Sequence, residues 1–104
     1  MNTWVKKMMI ALLAVGIGQA AWAEDVSDLD ELIQKAKQGS VPAQSSLGAI
    51  YLVREDYVSA AYWLRKAAEQ GWETAQNNLG LLYYDGEGVN QDYEEALKWF
   101  RKSA

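Results

Sequence analysis

The apolar residues of the chain recur at spacings of three and four positions, which is typical of helices with one buried face. Between residues 75 and 83 the main apolar positions are 75, 79, 82 and 83, which lie on one side of a helix. The same spacing recurs between residues 57 and 68. The pattern therefore predicts an all-α chain with five helices, at about residues 27–38, 42–53, 57–70, 74–84 and 92–103.

Residues that start or stop helices lie at the ends of these stretches. Gly39 and Gly71 follow two of the predicted helices, at the position past a C-terminus where a positive φ is favoured. Pro42 stands at the start of the second helix, where its missing N–H costs little. Asp92 and Glu95 have the spacing of a reciprocal cap for the last helix. Short connections of this kind predict antiparallel helical hairpins.

The chain contains an internal repeat. Shifted by 32 residues, the stretch 36–51 matches the stretch 68–83 at eight of sixteen positions. Shifted by 36 residues, the stretch 56–68 matches 92–104 at seven of thirteen positions. The offset changes by four residues between Tyr51 and Tyr57, so the two units differ in length there. Because glycine, tryptophan and tyrosine stay in register, we interpret the stretches as two copies of one helical unit.

Small and aromatic residues of the repeat predict how its helices pack. Gly48 and Gly80 fall in the middle of helices, where each costs up to about 1 kcal/mol relative to alanine. We expect a neighbouring helix to approach closely at these glycines, with Ala60 and Ala96 on the facing helices. The aromatic residues of the units are expected to fill the wider gaps of the core: Tyr51, Trp63, Tyr83 and Trp99.

The first 23 residues have the pattern of a secretory signal. Lys6 and Lys7 give a positive start, an apolar run covers residues 8–18, and the sequence Ala-Trp-Ala at 21–23 suits signal peptidase. We predict cleavage after Ala23, a periplasmic or secreted location, and no stable membrane anchor after cleavage. The alternative is a retained N-terminal anchor, although the run is shorter than the roughly 20 residues that span a bilayer.

Composition narrows the function classes of the remaining 81 residues. The net charge of the full chain is −4, and removal of Lys6 and Lys7 makes it more negative. An acidic chain without a basic cluster argues against nucleic acid and anionic membranes as partners. The sequence has no cysteine and no histidine, so it has no disulfide framework and lacks the commonest general base.

These features together resemble a known repeat family. Residues 75–93 read AQNNLGLLYYDGEGVNQDY, and they are followed by Ala96, Trp99, Arg101 and Lys102. This succession resembles a Sel1-like repeat, a relative of the tetratricopeptide repeat, and the resemblance covers about residues 29–104. The stretch 43–74 lacks the G-x-G-V turn and is closer to a plain tetratricopeptide hairpin. The chain then divides into a signal peptide (1–23) and a Sel1-like domain (24–104), with a half unit at 27–40 and units at 43–74 and 75–104.

The resemblance implies a short α-solenoid and a role in binding. Members of the family act as adaptors and scaffolds, and exported bacterial members include periplasmic regulators, envelope-assembly factors and factors that act on host proteins. A cysteine-rich branch has been linked to β-lactam binding or hydrolysis, but this chain has no cysteine, so that activity is not carried over. We expect a protein or peptide partner in the cell envelope or outside the cell.

In a solenoid of this type the first helix of each unit lines the groove. The groove positions implied here are Ser45, Ser46, Ala49, Asn77, Asn78 and Leu81. Two adjacent asparagines suit an extended peptide backbone, although they also suit plain polar surface. Trp72 is interpreted first as a packing residue and second as an exposed anchor. The absence of Lys and Arg from residues 43–53 and 75–84 argues against a carboxylate clamp.

The last predicted helix leaves apolar residues without an obvious cover. We expect Leu97 and Phe100 to be partly exposed, which predicts self-association through that helix or low stability of the isolated protein. The same feature fits a fragment of a longer Sel1-like protein as an alternative.

Catalytic and metal chemistry is weakly supported. Gly86-Glu87-Gly88 reads as an inter-helix turn rather than a phosphate loop, because no strand precedes it and the third glycine is missing. Asp85, Glu87 and Asp92 fail the spacing of an EF-hand, and no carboxylate pair or serine has a visible catalytic companion. We predict no enzyme, no metal and no cofactor, and keep an envelope-associated enzyme or small-molecule-binding protein as the alternative.

Overall fold

The computed structural model describes residues 21–104, with side chains from residue 28 onward. These residues form five helices and no strand. The all-α prediction is confirmed, and the last four helices agree with the predicted bounds to within one residue. The helices are α1 (Ala21–Lys37), α2 (Val41–Val53), α3 (Tyr57–Glu69), α4 (Glu73–Asp85) and α5 (Tyr93–Ser103).

The first helix begins six residues before its predicted start at residue 27. Most of the predicted signal segment lies outside the described residues, and the predicted cleavage point after Ala23 falls in the first turn of α1. None of the helices in the described part of the chain is both long and apolar enough to cross a membrane.

The predicted cap of the last helix forms only in part. The Asp92 carboxylate accepts hydrogen bonds from the N–H groups of Glu94 and Glu95, at 3.0 and 3.1 Å. The reciprocal bond is absent, because the Asp92 N–H donates to the Tyr83 carbonyl at 2.9 Å. The Glu95 carboxylate instead lies 3.7 Å from the Lys98 ammonium group. The hydrogen bond from Asp92 to Tyr83 of the preceding helix therefore takes the place of the second bond of the predicted cap.

The glycines inside α2 and α4 allow close helix packing, as predicted. A Cβ placed on Gly48 would lie 2.5 Å from the Leu64 side chain, and one on Gly80 would lie 2.6 Å from the Phe100 ring. The nearest side chains on the facing helices are therefore this leucine and phenylalanine, rather than the alanine four residues before each of them. Each hairpin is closed by a large apolar side chain seated on a glycine.

Two apolar clusters hold the helices together. The smaller cluster joins α1 to α2 through Ala36, Ala43 and Leu47, with Trp63 packed against it. The larger one is shared by α3, α4 and α5, and Trp99 is buried in it, as expected from the repeat. Its buried members are Ala60, Ala61, Leu64, Ala67, Ala68, Ala75, Leu79, Leu82 and Trp99.

Equivalent glutamines donate a second hydrogen bond to carbonyl groups at the ends of the preceding helices, which also accept from the N–H groups of Gly39 and Gly71. The Gln44 side-chain amide donates to the Ala36 carbonyl, and the Gln76 amide donates to the Ala68 carbonyl, both at 3.1 Å. Gln44 also accepts a hydrogen bond from Gln70, whereas the Gln76 carbonyl oxygen is buried without a partner among the described residues. The glutamine of each Ala-Gln pair thus forms a hydrogen bond that links the start of its own helix to the end of the preceding one.

The connections inside the two hairpins differ in length. Residues 54–56 join α2 to α3, and Glu55 adopts a positive φ of 61°. Residues 86–92 join α4 to α5 through Gly86 and Gly88, with φ values of 70° and 73°, which confirms the predicted turn. The longer loop lies against the first turn of α3. The approach is so close that a Cβ on Gly88 would collide with the Tyr57 carbonyl group.

Candidate partner-binding surfaces

The outward sides of α2 and α4 form the first candidate surface. Ser46 and Ala49 are exposed on α2, and Asn77 and Leu81 are exposed on α4, with Leu81 at 46%. Spacings of three and four residues place each pair on one side of its helix. The two helices also contact each other directly. We call these four residues and the half-buried Asn78 the first-helix surface.

One predicted member of the groove lies elsewhere. The Ser45 side chain is only 9% exposed and is packed with the buried residues at the start of α2. Its counterpart in the second unit, Asn77, is exposed. Because Ser45 is buried, it is not part of the first-helix surface.

The first-helix surface offers uncharged polar and apolar groups. The side-chain amides of Asn77 and Asn78 have no hydrogen-bond partner within residues 28–104. Each amide can donate and accept, so both can pair with a peptide group. Neither α2 nor α4 contains Lys or Arg, and the acidic residues of α4, Glu73 and Asp85, lie at its two ends. The arrangement suits hydrogen bonding and apolar contact with an uncharged ligand segment.

Trp72 lies just before α4, at its N-cap position, without a side-chain hydrogen bond to the helix. The residue is 39% exposed, and it is absent from both described apolar clusters. Trp72 is thus partly accessible beside the start of α4. The anchor for a partner, the second of the two interpretations of this residue, stays a prediction.

The outer side of α5 forms the second candidate surface. Leu97 is 49% exposed and Phe100 is partly buried, as the sequence predicted. Together with neighbouring residues they line an open hollow of about 350 Å³. We call this surface the α5 face; its residues are Tyr84, Tyr93, Ala96, Leu97 and Phe100.

Two tyrosines of the α5 face were missed by the sequence reasoning. The rings of Tyr84 and Tyr93 lie 5.2 Å apart, in a tilted arrangement. The Gln91 side chain donates to the Tyr84 carbonyl at 2.9 Å and to the Tyr93 hydroxyl at 3.1 Å, which ties the loop to both residues. The available signal was the repeat itself, since Tyr93 is the counterpart of Tyr57 at an offset of 36 residues.

Polar contacts between α3 and the second unit reinforce their packing. The Arg65 guanidinium group donates to the Tyr83 hydroxyl and lies 5.4 Å from the centre of its ring. At the other end of α3, burial and the nearby Glu87 carboxylate, which accepts a hydrogen bond from the phenol, raise the pKa of Tyr57 above its ordinary value. These contacts lie at both ends of the face that α3 turns toward α4.

The acidic residues of the α4–α5 loop are dispersed. Within the part of the chain whose side chains are described, no three carboxylates are placed to hold one metal ion. Asp92 is engaged in capping α5, and Glu87 faces Tyr57. The loop thus serves the contact between the two units.

The sequence also matches a family of known repeats. A model described as the Sel1 repeat matches residues 41–72 and 74–104, which is more than half of the chain. Each match covers one helical hairpin of the structure, α2–α3 and α4–α5.

Relatives come from plants, fungi and a virus. The chain is 36% identical over 76 residues to an F-box protein of Arabidopsis thaliana, and 35% identical over 77 residues to the chitin synthase regulator SKT5 of Saccharomyces cerevisiae. These matches cover 73% and 68% of this chain. A Sel1-like repeat-containing protein of Acanthamoeba polyphaga mimivirus is 47% identical over 75 residues, which cover 68% of this chain. The matched segments span 21%, 11% and 13% of the three relatives, respectively.

Proposed function

This chain belongs to the Sel1 repeat family, and from that membership we propose that it binds a protein or peptide partner through its first-helix surface. Sel1 repeats generally mediate contacts between proteins. The proposed role is that of an adaptor, which holds a partner without chemical change.

The observation that carries the proposal is the exposure of the first-helix surface. Four of its five residues are exposed although they lie in the middle turns of two packed helices. Leu81 leaves nearly half of its surface in water, and Ala49 occupies the equivalent place on α2. An apolar centre bordered by free amides is the usual composition of a binding surface.

The chemistry of the surface indicates the kind of segment it binds. Asn77 and Asn78 pair with the backbone of an extended segment, while Leu81 and Ala49 contact an apolar side chain. Since α2 and α4 carry no basic residue, the segment needs no carboxylate at this point. We therefore propose an internal peptide segment or loop rather than a charged C-terminus as the ligand.

The identity of the partner is not transferred from the relatives. The yeast relative is described as a regulator of chitin synthase, but the matching segment is only 11% of that protein. What we propose for this chain is the general role of holding a partner.

We further propose that the protein works outside the cytoplasm after cleavage following Ala23. The support is the sequence pattern of residues 6–23, with its basic start, apolar run and small residues. Mass spectrometry of the protein from fractionated cells tests this. A mature chain starting at Glu24 outside the cytoplasm is expected, and an intact chain confined to the cytoplasm would contradict the proposal.

Affinity purification after crosslinking tests the binding role. Leu81→Asp and the double variant Asn77→Ala with Asn78→Ala are expected to lose a partner that the wild-type protein retains. Val58→Asp is the matched control, because Val58 is 70% exposed on α3 and lies outside both candidate surfaces. If the same partner is retained at the same yield by the Leu81 and asparagine variants, the first-helix surface is not its binding site.

A further inference from the structure

Asp85, the last residue of α4, continues the line of the first-helix surface. It follows Leu81 by four residues and Asn77 by eight, and this spacing places all three on one side of the helix. All three residues are exposed, although α4 packs against α2, α3 and α5. Asp85 lies about 6 Å beyond Leu81 along the helix axis. A segment bound over Leu81 therefore comes within side-chain reach of a carboxylate.

The Asp85 carboxylate has no hydrogen bond and no ion pair within residues 28–104. The helix is ended instead by Gly86, whose N–H donates to the Leu82 carbonyl at 2.8 Å. Burial and Glu87 are the main causes that raise the pKa of Tyr57, and the charge of Asp85 adds only a smaller contribution. A negative charge in the last turn also opposes the helix dipole. Asp85 therefore does not stabilise its own helix.

Two other charged residues lie near the ends of the same two helices. Arg54 follows α2, about a third of a turn away from the side that carries Ser46 and Ala49. Glu73 borders the opposite end of the surface, in the first turn of α4, where its charge favours the helix dipole. Asp85 is thus the charge beside the surface that its own helix does not explain.

We propose that Asp85 selects the charge of the segment bound by the first-helix surface, so that the segment carries a Lys or Arg beside the apolar residue that contacts Leu81. This inference rests on the proposed binding role of that surface. The uncharged part of the segment lies over Asn77 and Leu81, and its cation pairs with the Asp85 carboxylate just beyond them.

The charge of the surroundings also favours a basic segment. Neither α2 nor α4 contains Lys or Arg, so neither helix supplies a cation that competes for Asp85. The protein as a whole has a net charge of −4, which attracts a basic partner at longer range. Complementary charge of this kind contributes to the choice of partner and to the rate of association.

A second copy of the described chain does not present such a segment. Within residues 28–104 every Lys and Arg except Arg54 lies in a helix, and Arg54 belongs to a connection of three residues. Two copies of the same negative charge also repel each other. The segment is therefore assigned to another protein, in agreement with the proposed adaptor role.

Selection of phage-displayed random peptides on the purified protein tests this proposal. The wild-type protein is expected to enrich peptides with Lys or Arg within two residues of an apolar residue, since two extended residues span about 6 Å. Asp85→Lys is expected to enrich Asp or Glu at the same place. In an anisotropy titration it should weaken the best wild-type peptide about tenfold or more. The variant should fold, because a cation in the last turn favours the helix dipole.

Glu69→Lys is the matched control, because it changes the net charge equally at the exposed end of α3 and should keep the wild-type preference. Equal affinity of wild type and Asp85→Lys for the same peptides, or an equal loss with Glu69→Lys, would overturn this inference and leave the proposed function intact. Peptides that bind Leu81→Asp as tightly as wild type, or no enrichment on wild type, would overturn the proposed function as well. Self-association lost with Asp85→Lys in sedimentation would assign the segment to a second copy instead.

Discussion

The two hairpins of this protein are built alike but are covered differently. In both, a large side chain of the second helix sits on a glycine of the first, as Leu64 does on Gly48 and Phe100 on Gly80. The outer side of α3 is covered by α4, whereas no described helix covers the outer side of α5. The packing inside each hairpin thus depends on residues of its own repeat, while burial of the outer side of its second helix depends on a neighbouring helix.

The largest expected difference concerns apolar side chains on the two second helices. Leu64→Ala should lower the free energy of unfolding by about 3 kcal/mol, because it leaves a cavity in a fully buried site. Leu97→Ala should change it by less than about 0.5 kcal/mol, because that side chain is half in water. Urea unfolding of both variants measures this. Equal losses would mean that the α5 face is covered in solution.

The next prediction compares the buried glutamines of the two hairpins, Gln44 and Gln76, which both bind the end of a preceding helix. Gln44→Leu should lower the free energy of unfolding by about 2 kcal/mol, since it removes two hydrogen bonds at a buried site, although the Ala36 carbonyl keeps its bond from the Gly39 N–H. Gln76→Leu should cost about 1 kcal/mol, because it also removes a buried oxygen that has no partner. Thermal unfolding of the two variants provides the test, and a greater loss for the second variant would contradict this account.

Replacing each helical glycine by alanine tests how freely the side chain packed on it, Leu64 or Phe100, can move. Gly48→Ala should destabilise by about 1 kcal/mol, because the clash with the enclosed Leu64 exceeds the gain in helix propensity. Gly80→Ala should have an effect near zero, because the Phe100 ring can move toward the open hollow. Chemical denaturation distinguishes the two. A larger loss at Gly80 would show that Phe100 is held as firmly as Leu64.

The smallest expected effect appears at alkaline pH. The pKa of Tyr57 is raised by burial and by the Glu87 carboxylate, so folding favours the neutral phenol. The stabilisation is complete below the ordinary tyrosine pKa of about 10 and is lost as pH rises through the raised value. Tyr57→Phe should therefore lose less stability than wild type above pH 10, measured by melting temperature. Tyr62→Phe is the control, and an identical change in both variants would refute the assignment.

Most of the fold was predictable because the repeat carries its own signals. Helix positions followed from apolar spacing, and the two close approaches followed from Gly48 and Gly80. The role of Gln44 and Gln76 was not predictable, because a glutamine in an Ala-Gln pair does not show which carbonyl it reaches. The reciprocal cap at Asp92 does not form for a related reason. The Asp92 N–H donates to the carbonyl of Tyr83 on the preceding helix, and the sequence does not show that this acceptor is near.

The candidate surfaces were predictable to a smaller degree. Leu97, Phe100 and most of the first-helix surface followed from helical periodicity and from the family resemblance. Ser45 is buried although its counterpart Asn77 is exposed, and the repeat alone does not show such a difference between equivalent positions. Tyr84 and Tyr93 were missed, because they meet only after the long loop returns the chain to α4.

Site-specific photocrosslinking in the producing cells tests the central claim most directly. A photoreactive phenylalanine at Leu81 should form an adduct with another protein, and the same residue at Val58 should not. Both positions are exposed and apolar, so they differ chiefly in whether they belong to the first-helix surface. An adduct at Leu81 that is lost with Asn77→Ala and Asn78→Ala is the predicted result. Adducts of equal yield at both positions, or one at Val58 alone, would contradict it.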